Sequence, residues 1–145
     1  MFKVSSMTSD DLNSIKNILI SDFDDFWDYN ILNSELNCNS SKYIVIKTEN
    51  NEIVGFSGLK IIVDEADIMN IVVKKSYRNL GLGSILLQNL INISKLQNLK
   101  SITLEVAENN LPAIHLYKKF MFKIVGIRPN YYNNETNAIL MTKKL

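Results

Sequence analysis

A mixed α/β (α+β) chain folded around one sheet is the class this sequence predicts, and three observations predict it. Apolar residues switch several times between a period of two and a period of three to four. Polar turn clusters, Glu49-Asn50-Asn51-Glu52 and Asp64-Glu65, separate neighbouring strand-like runs. The β-branched stretch Ile71-Val72-Val73 passes through a short basic loop into Gly81-x-Gly83 and then a long helical pattern. The resulting order, β-α-α-β-β-β-α-β-α-β-β, is mostly meander with one crossover. It is not the regular alternation of a doubly wound nucleotide fold.

Each element has its own local reason. Phe2 to Met7 suits a first strand, and Thr8-Ser9-Asp10-Asp11 supplies N-cap chemistry for a helix with Leu12, Ile15, Ile18 and Leu19 at helical spacing. A less regular helical stretch covers Phe26 to Leu36. Tyr43 to Lys47 reads as a β-branched strand and Ile53 to Val63 as its hairpin return, followed by a third strand from Ala66 to Val73. Ile85, Leu86, Leu87, Leu90, Ile91 and Ile93 build a strong helix that reaches Leu96. Ser101 to Val106 is a strand, Pro112 opens a short helix to Phe120, and Lys123 to Ile127 and Ala138 to Thr142 close the sheet.

Composition narrows the function classes. The 145 residues suit one domain, 1–145, with apolar content sufficient for an ordinary core. A formal net charge of +1 provides no global field for nucleic acid or an anionic membrane. Cys38 alone supports neither a disulfide framework nor a cysteine metal site, so no metal is expected. No apolar run reaches the roughly 18 residues of a spanning helix, and Met1-Phe2-Lys3-Val4 lacks a signal peptide's apolar region. The expected location is cytoplasmic. Abundant Asn and Ile, and Lys in large excess over Arg, read as genome composition.

The glycine loop carries the first chemical signal. Two glycines at a strand-to-helix turn let backbone N–H groups approach one anion at the positive end of the helix dipole. Lys74, Lys75 and Arg78 add charge beside it, although the lysines suit a solvated turn equally well. A P-loop needs Gly-x-x-x-x-Gly-Lys-Ser/Thr and a dinucleotide fingerprint needs Gly-x-Gly-x-x-Gly. Neither is present, because Ser84, Ile85 and Leu86 follow Gly83.

The pattern that fits is Arg/Gln-x-x-Gly-x-Gly/Ala, as Arg78-Asn79-Leu80-Gly81-Leu82-Gly83. Downstream, Leu104-Glu105-Val106 ends a strand in a carboxylate, and Asn110-x-x-Ala113-x-x-x-Tyr117 spans the Pro112-started helix. Together these segments resemble the GCN5-related N-acetyltransferases (GNAT). Val63 to Val73, Leu104-Glu105-Val106 and Arg128-Pro129-Asn130-Tyr131-Tyr132 look like the bacterial ribosomal-protein-alanine acetyltransferases within that family. The resemblance spans residues 53 to 142, while the first fifty residues add only compatible elements.

What the resemblance implies is specific. The fold would be a single mixed, mostly antiparallel sheet of six to seven strands flanked by about four helices. Ile71, Val72 and Val73 would offer backbone groups to the pantetheine of acetyl-CoA. Arg78, Asn79, Leu80, Gly81, Leu82, Gly83 and Ser84 would hold its pyrophosphate, and Asn110 and Tyr117 would meet the pantetheine arm and the thioester. Glu105 would be the general base, acting directly or through water, and Tyr117 the general acid. The substrate would be a protein N-terminus, that of a small-subunit ribosomal protein beginning with alanine, with no nucleic-acid or membrane partner.

The residues also admit plainer readings. Glu105 alternates with Leu104 and Val106, as a solvent-facing strand position does. Tyr117 sits at helical spacing from Ala113 and Phe120, as a core-edge aromatic does, and Asn70 suits a role in pairing strand edges. His115 reads as a helix-surface residue. Phe26 and Trp27 fit either a substrate wall or ordinary core, and Arg128 with Tyr131-Tyr132 either a peptide groove or an exposed hairpin. Two departures from the family pattern stand out. Met121 replaces a glycine after the tyrosine helix, which a Met tolerates only if the helix end needs no left-handed residue. Thr136-Asn137 replace acidic residues before the last strand, which bears on substrate identity. Two other functions remain open at this level: acetylation of a lysine or small amine, with Asp22, Asp24, Asp25 and Asp28 as an acidic wall, or a non-catalytic acyl-CoA sensor.

Overall fold

The computed structural model describes residues 1–23, 28–132 and 135–145. Seven strands form one sheet: β1 (Lys3–Ser6), β2 (Ser41–Lys47), β3 (Ile53–Ile62), β4 (Glu65–Val73), β5 (Ser101–Ala107), β6 (Lys123–Tyr132) and β7 (Thr136–Lys144). Their spatial order is β1-β2-β3-β4-β5-β7-β6, antiparallel except for the β4–β5 pair. That parallel pair is the expected crossover, and the helix that makes it follows the glycine loop.

Among the described residues, five α-helical segments cover the two faces. α1 (Ser9–Ile15) and α2 (Leu19–Phe23) are joined by a 3-10 turn, Lys16–Ile18, so the helix expected from Leu12 to Leu19 is tightened in its middle. Thr8 closes a capping box with Asp11, whose other oxygen takes Lys47 Nζ at 2.8 Å and ties α1 to β2. α3 is Tyr29–Leu36, capped by the Asp28 carboxylate on the Ile31 N–H. Phe26 and Trp27, read above as its first turn and as a substrate wall, lie outside the described residues, as do Asp24 and Asp25 of the acidic wall.

α4 (Leu82–Leu96) packs Leu86, Leu87, Leu90 and Ile91 against Ile46, Val54, Ala66 and Ile102 of the sheet. α5 (Leu111–Lys119) adds Ile114 to the same layer. On the opposite face α1, α2 and α3 bury Leu12, Ile15, Leu19, Phe23 and Leu32 against Tyr43, Val45, Ile53 and Phe56. α1 to α3 have their sheet contacts on the β1–β4 half, which leaves the same face of β5, β7 and β6 more open.

The end of α5 corrects one expectation. Phe122 N–H bonds the Tyr117 carbonyl at 3.0 Å and Met121 N–H bonds the Lys118 carbonyl at 2.9 Å. Those two bonds are a complete Schellman motif, whose C′ residue is left-handed. Met121 occupies it with φ +73, so a Met does stand where the helix end requires that conformation. The motif's apolar contact is present too, since the Tyr117 and Phe122 rings lie 6.0 Å apart.

Candidate active site

The sheet opens between β4 and β5. The two strands pair only over Glu65–Asp67 and Ser101–Thr103. Beyond that point β4 keeps its partner β3 as far as Val73, and β5 keeps β7 as far as Ala107. The facing edges of 68–73 and 104–107 therefore present backbone N–H and C=O groups to a gap rather than to each other. A cleft of about 670 Å³ fills this opening and runs to the glycine loop and α5.

A β-bulge in β4 accompanies the opening. Leu59 pairs with Ile68 and the adjacent Gly58 with Asn70, so Met69 is an extra residue on the β4 side. At this level the Tyr43 ring lies on the β3 backbone, and a Cβ on Gly58 would sit 2.2 Å from it. Ser57, fully buried, donates its hydroxyl to the Asn70 carbonyl at 2.7 Å.

The sequence-expected residues arrive at the cleft from three sides. β4 contributes Ile71, Val72 and Val73. The loop contributes Arg78, Asn79 and Gly81, with Leu82 and Gly83 from the first turn of α4. Glu105, Asn110 and Tyr117 form the far wall. Leu80, 59% exposed, and Ser84 do not line it. Gly81 holds φ +82 at the N-cap of α4, and a Cβ there would meet nothing within 4 Å, so the space before the helix is open. The first N–H groups of α4 have no intrahelical acceptor and face that space with the positive end of the dipole.

Several of these side chains also have structural tasks. Arg78 donates Nε to the Val73 carbonyl at 3.0 Å and a terminal nitrogen to the Phe23 carbonyl at 3.1 Å, pinning α2 to the loop. Lys74 pairs with Glu52 at 2.9 Å and lies 3.8 Å from Asp22, so it braces the loop from behind. The Glu52 hydrogen bond raises the Lys74 ammonium pKa, and the same contact lowers that of the Glu52 carboxyl. Asn110 caps α5 by accepting the Ala113 N–H at 3.3 Å. His115 is exposed.

Glu105 sits deeper than a solvent-facing strand position. Its Oε1 takes Arg128 at 3.0 Å, and its Oε2 is buried with no hydrogen-bond partner. The Arg128 guanidinium in turn lies 4.9 Å from the centre of the Tyr131 ring. Asn70 Oδ1, on the β4 wall, is likewise buried without a partner. Asp67 stands at the point where the strands part, and burial raises its carboxyl pKa. Neither the Arg128 pairing nor the orientation of Asn70 was read from the sequence. The available signal was in Ala66-Asp67-Ile68-Met69-Asn70-Ile71-Val72-Val73: strict alternation from Ala66 and Ile68 places Asn70 in the core, which a bulge relieves.

Among the described residues the mixed sheet splays at its parallel pair, with a glycine-led helix N-terminus at the mouth. The acetyltransferase (GNAT) family model matches residues 12–122, and the chain belongs to that family. Among its relatives is the [ribosomal protein bS18]-alanine N-acetyltransferase of Haemophilus influenzae, 37% identical over 110 residues, covering 72% of this chain and 75% of that protein. A Bacillus subtilis protein provisionally named for the same activity is 32% identical over 139 residues, 95% of this chain and 92% of its own. The crystal structure of the ribosomal-protein-S18-alanine N-acetyltransferase from Escherichia coli superposes with a TM-score of 0.90 at 27% identity, over 99% of this chain and 94% of that one.

Proposed function

We propose that this protein is an acetyl-CoA-dependent N-acetyltransferase acting on a protein N-terminal α-amine, and specifically on the N-terminal alanine of a small-subunit ribosomal protein. The observation that carries the reading is the cleft between β4 and β5, which sets a buried, unpartnered carboxylate oxygen of Glu105 opposite an open strand edge and near Tyr117. The near full-length likeness to proteins named for this activity supports the substrate. Such a substrate is made in the cytoplasm, where the protein would act. No helix among the described residues is long and apolar enough to cross a membrane.

The residues present fit acetyl-CoA. Open space before Gly81 and the free N–H groups of the α4 N-terminus suit a pyrophosphate, with Asn79, Leu82 and Gly83 around it. The edge of Ile71–Val73 that no strand pairs, with the Val73 carbonyl already accepting Arg78, suits the amides of a pantetheine arm added as an extra strand. When bound, acetyl-CoA supplies the activated acyl group as a thioester.

The chain's own groups then have distinct tasks. The attacking amine must be neutral, and an α-amine with a pKa near ~8 needs less help than a lysine amine near ~10.4. Glu105 receives the amine proton, directly or through one water. A backbone N–H of the Ile71–Val73 strand would stabilise negative charge on the acyl oxygen. Tyr117, held by the Schellman turn and its packing on Phe122, gives its proton to the departing thiolate. The new bond is N–C, the broken bond is C–S, and no covalent enzyme intermediate is needed.

Release of free CoA thiol from acetyl-CoA tests this. Peptides beginning Ala-Arg are compared with the same peptides N-terminally blocked and carrying an internal lysine. Turnover confined to the free alanine terminus is expected. Turnover confined to the blocked lysine peptide or to small amines would overturn the substrate, and acetyl-CoA binding without any turnover would overturn the enzyme in favour of a sensor.

A further inference from the structure

The β4 wall of the cleft carries a polar group that the mechanism above leaves unused. Met69 changes the parity of β4. Ala66 and Ile68 face the α4 layer, and past the extra residue Ile71 and Val73 face it again. Asn70 is consequently turned to the other face, the one shared by Asp67, Thr103 and Glu105. Asp67 and Thr103 are paired neighbours. Asn70 lies two pairing steps beyond Asp67, and Glu105 two residues beyond Thr103. By register the two residues stand at the same level of β4 and β5.

Asn70 is held from behind. Its carbonyl is fixed by Ser57 at 2.7 Å, and its Nδ2 faces the Tyr43 hydroxyl at 3.5 Å. That leaves Oδ1 buried and unpartnered on a residue that lines the cleft, as Arg128 leaves Glu105 Oε2. Burying an acceptor without a donor is costly, and two level with each other mark a place where a ligand brings the donors.

We infer that Asn70 is a substrate-contact residue whose Oδ1, together with Glu105 Oε2, receives the two N–H groups of the neutral substrate amine. This rests on the reading of Glu105 as the group that takes the amine proton. With both hydrogens held, the lone pair points along the gap toward the acyl carbon. As the N–C bond forms and the C–S bond breaks, one hydrogen passes to Glu105 and the other stays on the amide nitrogen against Asn70. A secondary amine has one N–H and cannot satisfy both acceptors. The site therefore selects primary amines and discriminates against N-methylated or proline termini.

Steady-state kinetics with a peptide beginning with alanine and its N-methylalanine counterpart test this in wild type and Asn70→Ala. Wild type is expected to prefer the primary amine. Asn70→Ala should lower kcat/KM for the alanine peptide by roughly tenfold to a hundredfold, leave the N-methylalanine rate and the KM for acetyl-CoA nearly unchanged, and so collapse the preference. An unchanged rate on the alanine peptide, or equal losses on both peptides, would overturn the inference. The wild-type arm stands even if the variant does not fold: equal turnover of the two peptides also overturns it. Wild type acetylating no N-terminal amine at all would instead refute the proposed function, and is read before Asn70 is changed.

Discussion

Met121→Gly probes the helix end that carries Tyr117. Met121 holds φ +73 at the C′ position of a complete Schellman motif. A side chain there costs about 1–2 kcal/mol through the contact of its Cβ with the following carbonyl, a cost glycine does not have. Glycine loses more backbone freedom on folding, by about 0.5–1 kcal/mol relative to alanine. The difference between the two is about 1 kcal/mol in favour of glycine at this site, the reverse of their order inside a helix. Met121 is 66% exposed, so its packing offsets only part of that difference and wild type should fall between the two variants. Thermal unfolding of Met121→Gly and Met121→Ala checks it. Glycine should melt about 4 °C above alanine, the shift expected of 1 kcal/mol in a chain of this size. A Met121→Ala variant as stable as Met121→Gly would refute the reasoning, because the left-handed residue would then carry no strain.

Three further outcomes follow from the same contacts. Glu105→Gln should slow acetyl transfer throughout neutral and alkaline pH, because a hydrogen of the attacking neutral amine must still be accepted, with acetyl-CoA affinity nearly unchanged; an unaffected pH–rate profile would remove Glu105 as the base. Tyr117→Phe keeps the ring that packs on Phe122 and should slow turnover while leaving the fold intact, whereas an unaffected rate returns Tyr117 to the core edge. Asp11 is buried, which alone raises its carboxyl pKa, but hydrogen bonds from Lys47 and Thr8 and the Lys47 charge outweigh that and lower it. A lowered folded pKa stabilises above the unfolded value and is lost as pH falls through the folded one. Asp11→Asn should therefore cost about 1–2 kcal/mol near neutrality and progressively less below about pH 4, read from urea unfolding at several pH values. A constant difference across that range would exclude the linkage.

Local chemistry alone was enough to locate the elements and the glycine loop. Thr8 and Asp11 close a box across three residues, Asn110 and Pro112 start a helix in place, and Gly81 takes its left-handed turn beside the helix it caps. Period-two runs placed the strands to within a few residues, except that the last hairpin runs on to Tyr132 and restarts at Thr136. All of these are interactions within a few residues of the chain, so composition and spacing carry them. Glu105 and Tyr117 were legible because a motif fixes their spacing, but what surrounds them was not. The pairing of Arg128 with Glu105 joins β6 to β5 across the intervening β7. The direction of Asn70 depends on one extra residue counted against β3, and Met121's conformation on which carbonyls the chain reaches after α5. Register, parity and the parting of β4 from β5 are properties of strands in contact, since a one-residue shift exchanges the two faces of a strand without changing its sequence. Tertiary structure therefore decided which side chains meet in the cleft, while the sequence by itself determined which elements would bring them there.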